Sequence, residues 1–222
     1  PLGAFYGTQK ACEPLHVQYS YDDHSVWAVN QTAAARSELE VRATTFDLDG
    51  EAIRRKTGRV TVDALGRKRC FTMAPAATMP EVYFLFLELF DGRRRLSRNV
   101  YWLSRTMDQV EIVPKGDQRA MRSPQKAFAD FRGLARLPEV EVRHTQMVRK
   151  VGRNVVIDLT LENSPDGIAF FVWPRVRSRR TGRLATPVCW SENCVTLMPG
   201  ERMALRASLP AGGIGAKDLA VE

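Results

Sequence analysis

The side chains able to do chemistry in this 222-residue chain are few and badly spaced for it. Its three histidines are His16, His24 and His144. His16 and His144 fall in strand patterns and His24 in a turn, and none has a nucleophile or metal-ligand partner at an informative spacing, so structural roles are expected. Glycoside hydrolysis needs two acids about 5 to 10 Å apart across a scissile bond. The paired carboxylates Asp22-Asp23 and Asp47/Asp49 lie in turn sequences instead, where they read as ionised acceptors for backbone N–H groups. Cys12, Cys70, Cys189 and Cys194 are too few and too irregular for a disulfide scaffold or a zinc site. Cys189 and Cys194 could pair across a tight loop or stand as two half-buried thiols. Gly212-Gly213-Ile214-Gly215 lacks the lysine and the strand-to-helix setting of a phosphate loop and reads as a turn. The expectation is no catalytic residue, no metal and no cofactor.

The aromatic residues carry more promise, because sugars are held by packing their C–H faces on flat rings. Trp173 and Trp190, with Tyr101 and Trp102, could form such a platform or fill cores. Trp190 stands in Cys189-Trp190-Ser191-Glu192-Asn193, where a large ring has polar neighbours. The candidate carbohydrate-binding residues are therefore Trp173, Trp190, Glu192 and Asn193.

Strands must position these residues. Val155, Ile157, Leu159 and Leu161 alternate with Val156, Asp158, Thr160 and Glu162, so one face meets a core and the other water. Turn clusters such as Asp47-Leu48-Asp49-Gly50, Asp91-Gly92 and Ser164-Pro165-Asp166-Gly167 punctuate many short runs of this kind, which indicates antiparallel sandwiches. The expected fold is all-β: two immunoglobulin-like antiparallel β-sandwiches joined by a linker containing one short helix. The first sandwich is placed at 13–105, with strands near 15–21, 25–30, 38–48, 51–63, 68–74, 81–90 and 95–103. The second is placed at 137–222, with strands near 139–150, 153–163, 168–178, 187–197 and 201–209 and a last one from about Leu219, cut short at the chain end. Between them, Ser123 as cap, Pro124 at the first helical position, and Phe128, Phe131, Leu134 and Ala135 on one face predict a helix that Pro138 stops. The run 82–90 is apolar on both faces. Phe84 and Phe86 within it, with Phe5 and Tyr6 near the start, are the expected domain-packing residues.

The net charge of +8 raises the question of a polyanionic partner. The basic residues are scattered through Arg54-Arg55-Lys56, Arg67-Lys68-Arg69, Arg93-Arg94-Arg95 and 175–183, mostly beside turns, with no nucleic-acid-binding signature. Solvated strand edges and hairpin tips are expected, with no nucleic-acid partner. No apolar run approaches the roughly 20 residues of a membrane span, and no signal peptide opens the chain, so Pro1 reads as a fragment boundary. Asn30-Gln31-Thr32 fits a glycosylation triplet. A composition rich in Arg and Ala suggests a bacterial source, with a periplasmic or secreted setting.

Several segments together resemble the C-terminal immunoglobulin-like domains of glycoside hydrolase family 2, in the branch of exo-β-glucosaminidases, β-mannosidases and mannosylglycoprotein endo-β-mannosidases. They are Tyr6 to Tyr19, Ser97 to Leu103, Ala129-Asp130-Phe131 to Leu137-Pro138, and Pro187 to Asn193 with Pro199-Gly200-Glu201. The resemblance implies that residues 1–12 lead in from a catalytic barrel lying outside this sequence. It implies that the acids of a retaining mechanism belong to that barrel, and that this chain is a non-catalytic region packed on the barrel and the N-terminal domains. Where this branch shows Tyr or Phe, this chain has Cys189 and Cys194. Two other functions stay open: an oligosaccharide-binding module, or an independent adhesion-type sandwich.

Overall fold

The computed structural model describes residues 3–111, 113, 116, 124–212 and 215–222. The chain forms two compact units, one of Glu13–Leu137 and one that joins the segment up to Cys12 with Pro138–Glu222. The lead-in segment is a helix, α1 (Gly3–Ala11), and its Tyr6 is buried in the apolar core of the second unit. No helix among the described residues is long and apolar enough to cross a membrane.

The first unit contains β1 (Leu15–Tyr19), β2 (Ser25–Asn30), β3 (Arg36–Phe46), β4 (Ala52–Val62), β5 (Gly66–Thr72), β6 (Val82–Asp91) and β7 (Arg94–Ser104). They form two antiparallel sheets, β1-β2-β5 and β4-β3-β6-β7. The core lies between them. Val17, Tyr19, Val26 and Ala28 from the first sheet share one buried cluster with Leu39, Val41, Ala43, Tyr83, Leu85, Leu87 and Leu89 from the second. Alternation builds this directly, since every second residue of a pleated strand points to the same face.

Strand β6 departs from alternation because both of its faces are covered: Phe84 is wholly buried and Phe86 nearly so, with the Arg98 guanidinium 5.2 Å from the Phe86 ring centroid. The turn between β6 and β7 is a two-residue hairpin loop, with Asp91 opposite Arg94 and Gly92 at φ 56°. The basic runs take the expected places. Arg54, Arg55 and Lys56 lie on edge strand β4, Arg67, Lys68 and Arg69 on edge strand β5, and Arg93 in that hairpin loop.

The helix expected after Pro124 is not an α-helix. Gln125–Ala127 is a short strand, β9, paired with β8 (Gln109–Val110), and only Arg132–Arg136 turns, as a 3-10 helix. The apolar stripe that suggested a helix has no core to face, since Phe128 is 71% exposed and Phe131 36%. Asp130 accepts from the Arg132 N–H and starts the turn, while Leu137, ahead of Pro138, takes the extended backbone that a following proline demands. Ser123, the expected cap, lies outside the described residues.

The second unit contains β10 (Val142–Val151), β11 (Asn154–Asn163), β12 (Ala169–Val172), β13 (Val176–Ser178), β14 (Cys189–Trp190), β15 (Val195–Leu197), β16 (Arg202–Pro210) and β17 (Leu219–Val221). One sheet runs β10-β11-β16-β14, and β12-β15 and β13-β17 pair as ribbons. Val155, Ile157, Leu159 and Leu161 face the core with Leu205, Ala207 and Leu209 of β16, as their alternation requires. The strand expected at 168–178 is two strands in two different pairings, because a bulge with Phe171 at φ 60° shifts the register and Pro174 interrupts the ladder. The strand expected at 187–197 likewise divides into β14 and β15, with Cys194 at φ 52° between them.

Candidate functional site

The expected sugar-binding residues fall into two environments. The ring of Trp173 follows β12 and is 61% exposed, and the Arg175 guanidinium lies 5.5 Å from its centroid. Trp190, on the two-residue strand β14, is only 5% exposed and belongs to the core cluster. That corrects its candidacy as a stacking platform: the strand buries the ring among Leu205, Ala207 and their neighbours, and a buried face cannot receive a sugar. Trp173, Arg175, Leu184, Pro187, Trp190 and Asn193 line one open groove of about 370 Å³, with Tyr6 of α1 at its margin. Asn193 uses its Oδ1 to accept from the Cys194 N–H at 2.8 Å. Glu192 does not line the groove; its carboxylate pairs with Lys10 Nζ of α1 at 3.3 Å.

The expected packing residues also separate. Phe84 and Phe86 are buried and Tyr6 is 92% so, which leaves them no surface to offer a further domain. Their apolar character is spent inside this chain. Phe5, the neighbour of Tyr6 on α1, is 51% exposed and retains such a surface.

The titratable groups are tied to structure. Asp47 Oδ1 accepts from the N–H groups of Asp49 (3.1 Å) and Glu51 (2.8 Å), and Asp23 Oδ1 accepts from the Ser25 N–H at 3.0 Å. The Ser25 hydroxyl also donates to Asp23 Oδ1, and these two hydrogen bonds, the hydroxyl's first, hold the Asp23 carboxyl below its ordinary range. His16 is buried, with its two ring nitrogens 3.0 Å from the Glu13 carbonyl and 3.3 Å from Gln18 Oε1. His24 contacts the Tyr19 hydroxyl. Cys12 and Cys189 are exposed free thiols; burial pushes Cys70 up to about 11 and raises Cys194. Among the described residues, no group of three or more His, Cys, Asp or Glu could hold a metal ion.

Sequence reasoning named Tyr101 and Trp102 but missed their setting. Tyr101 Oη accepts from the Tyr19 backbone N–H at 3.1 Å and from Asn99 Nδ2 at 3.0 Å, and Tyr21 packs edge-on to both Tyr19 and Tyr101. The nearby Tyr21, in a turn sequence, gave no periodic signal from which to find it.

Comparison with known proteins agrees with this arrangement. The family described as the mannosidase Ig/CBM-like domain matches residues 22–107, and the exo-beta-D-glucosaminidase Ig-fold domain matches residues 120–222. An exo-beta-D-glucosaminidase of Amycolatopsis orientalis is 38% identical over 212 residues, which is 92% of this chain and 20% of that protein. One from Streptomyces avermitilis is 34% identical over 209 residues, covering 91% of this chain and 23% of its own length. The crystal structure of the Amycolatopsis orientalis exo-chitosanase superposes with a TM-score of 0.86 at 33% identity, over 99% of this chain and 26% of that one. The chain thus spans about a fifth to a quarter of these relatives. Its two sandwiches belong to the non-catalytic immunoglobulin-like domains of the exo-β-glucosaminidase and β-mannosidase branch of glycoside hydrolase family 2.

Proposed function

We propose that the chain is the accessory region of a larger retaining β-glycosidase of the exo-β-glucosaminidase type, and that it supports the catalytic barrel and the N-terminal domains by packing on them. The observation that carries this reading is the superposition of nearly the whole chain on 26% of an exo-chitosanase. Phe5 supplies a contact, since it is half exposed on a helix anchored through Tyr6. In the complete polypeptide, deleting residues 13–222 should lower the melting temperature or the solubility. A truncated enzyme as stable and as active as the full one would remove the idea.

A second reading is favoured by one observation, the exposed ring of Trp173 in a groove with Arg175 and Asn193. In that reading the second sandwich binds a sugar ring on Trp173, with Asn193 and the neighbouring Glu192 as polar contacts. Trp173→Ala should then abolish the response of tryptophan fluorescence to chito- or manno-oligosaccharides, and a response that persists unchanged would exclude it.

A further inference from the structure

The first sandwich carries a larger groove than the one at Trp173. It has a volume of about 650 Å³ and runs beside β7, which among the described residues is the last strand of its sheet and pairs only with β6. That volume lies within the roughly 300–1,000 Å³ of ordinary small-ligand sites. Three of its lining rings are partly exposed: Tyr21 53%, Trp102 39% and Phe131 36%. Tyr101 also lines it and is pinned by the two hydrogen bonds to its Oη, while Tyr21 is wedged edge-on at 5.5 Å from Tyr19 and 6.0 Å from Tyr101. Burial raises Tyr101 to about 12, so its hydroxyl stays neutral. Tyr101 and Tyr21 are therefore set before any ligand arrives, which spares part of the ordering cost of binding.

The groove also departs from the charge of the whole molecule. In a chain of net charge +8, the one acidic or basic side chain in its lining is an acid, Asp108, whose Oδ1 accepts from the Ala129 N–H at 2.8 Å. Aromatic faces beside one carboxylate suit a ligand with flat C–H faces and a positive charge. We infer that this groove binds a β-linked glucosamine oligosaccharide, with pyranose faces on Trp102 and Tyr21 and an ammonium group at Asp108. The inference rests on the reading above that the parent enzyme acts on β-glucosaminides, and it gives this chain a contact of its own with that substrate class. A neutral N-acetylated oligomer offers the same faces without the charge, and a peptide lying along β7 would need neither.

The test is calorimetric titration of the 222-residue chain with fully deacetylated and fully N-acetylated glucosamine tetramers. The deacetylated tetramer should bind about tenfold tighter or more, and added salt should weaken it. Trp102→Ala and Asp108→Asn should each weaken it about tenfold, the size of one aromatic or charged contact, while Trp173→Ala leaves it unchanged. Asp108 is exposed, so its amide variant keeps the fold under test. No heat of binding at millimolar ligand, equal affinity for the two tetramers, or loss of binding on Trp173→Ala would each overturn the inference. So would binding by this chain that disappears in the complete polypeptide, since another segment would then fill the groove. In that complete polypeptide, the Asp108 and Trp102 variants should slow cleavage of long glucosamine polymer but not of a single-ring aryl glucosaminide. A wild-type polypeptide that cleaves neither, while this chain still binds the deacetylated tetramer, would refute the parent activity and leave the groove standing.

Discussion

Asn30 and Asn163 do the same work in the two sandwiches: each is buried at the end of a strand and donates its amide to three carbonyls. Asn163 Nδ2 serves Gly167, Leu197 and Met198 at 2.8, 3.2 and 3.0 Å, and Asn30 Nδ2 serves Ala34, Val62 and Asp63 at 2.8, 3.4 and 2.9 Å. Asn163→Ala should cost about 2–4 kcal/mol in urea unfolding, because buried acceptors lose their donor. Asn30 is 1% exposed and its Oδ1 accepts from the Thr32 N–H and hydroxyl, so the acceptor amide of its glycosylation triplet is buried in the folded protein. Tyr6 shows the opposite balance, a buried hydroxyl with no hydrogen-bond partner among the described residues. Tyr6→Phe should leave stability unchanged or raise it by up to about 1 kcal/mol, whereas Tyr6→Ala should cost about 3–5 kcal/mol through the cavity it opens. Parallel thermal melts of the two variants distinguish these outcomes.

At the scale of elements, Asp158 ties three strands together on the solvent face of the second sandwich. Its carboxylate meets Arg206 of β16 at 2.6 Å and Arg149 of β10 at 3.0 Å, and those two hydrogen-bonded guanidiniums hold it below its ordinary value. A lowered folded value means that its stabilisation is present above the unfolded value of about 3.9 and fades as pH falls through the folded one. Urea midpoints measured from pH 6 down to pH 3 should therefore fall further for the wild type than for Asp158→Asn. Gly133, in the 3-10 turn, leaves tight space for a methyl group: a Cβ there would sit 3.1 Å from Val82 Cγ2 and 3.3 Å from Leu48 Cδ1, so both side chains would have to give way. Gly133→Ala should lower stability by about 1 kcal/mol, read as a fall in melting temperature. Strands such as β3, β11 and β16 were legible because one face is core and the other water, and that contrast writes itself into alternation. The stretch 124–136 was misread because helical spacing among Phe128, Phe131 and Leu134 says nothing about whether a core lies opposite. The breaks at Phe171 and Cys194 depend on positive φ at residues whose types do not announce it.

For the whole molecule, family and architecture were readable from motifs spread along the chain, while burial decided which aromatic residues were available at its surface. Trp190 and Trp173 look alike in sequence, yet one completes a core and the other stands in water, because short strand β14 pairs with β16 at Trp190 and carries it inward. The same accounting removed Phe84 and Phe86 from the candidate docking surface and left Phe5. The relatives are four to five times its length, and the function proposed above gives catalysis to a barrel and this chain a supporting role. The most direct measurement is the release of aryl alcohol from an aryl β-D-glucosaminide by the purified 222-residue chain and by the complete polypeptide at equal molar concentration. Turnover is expected only from the complete polypeptide; hydrolysis by this chain alone, surviving repurification, would contradict the assignment of these sandwiches to a supporting role.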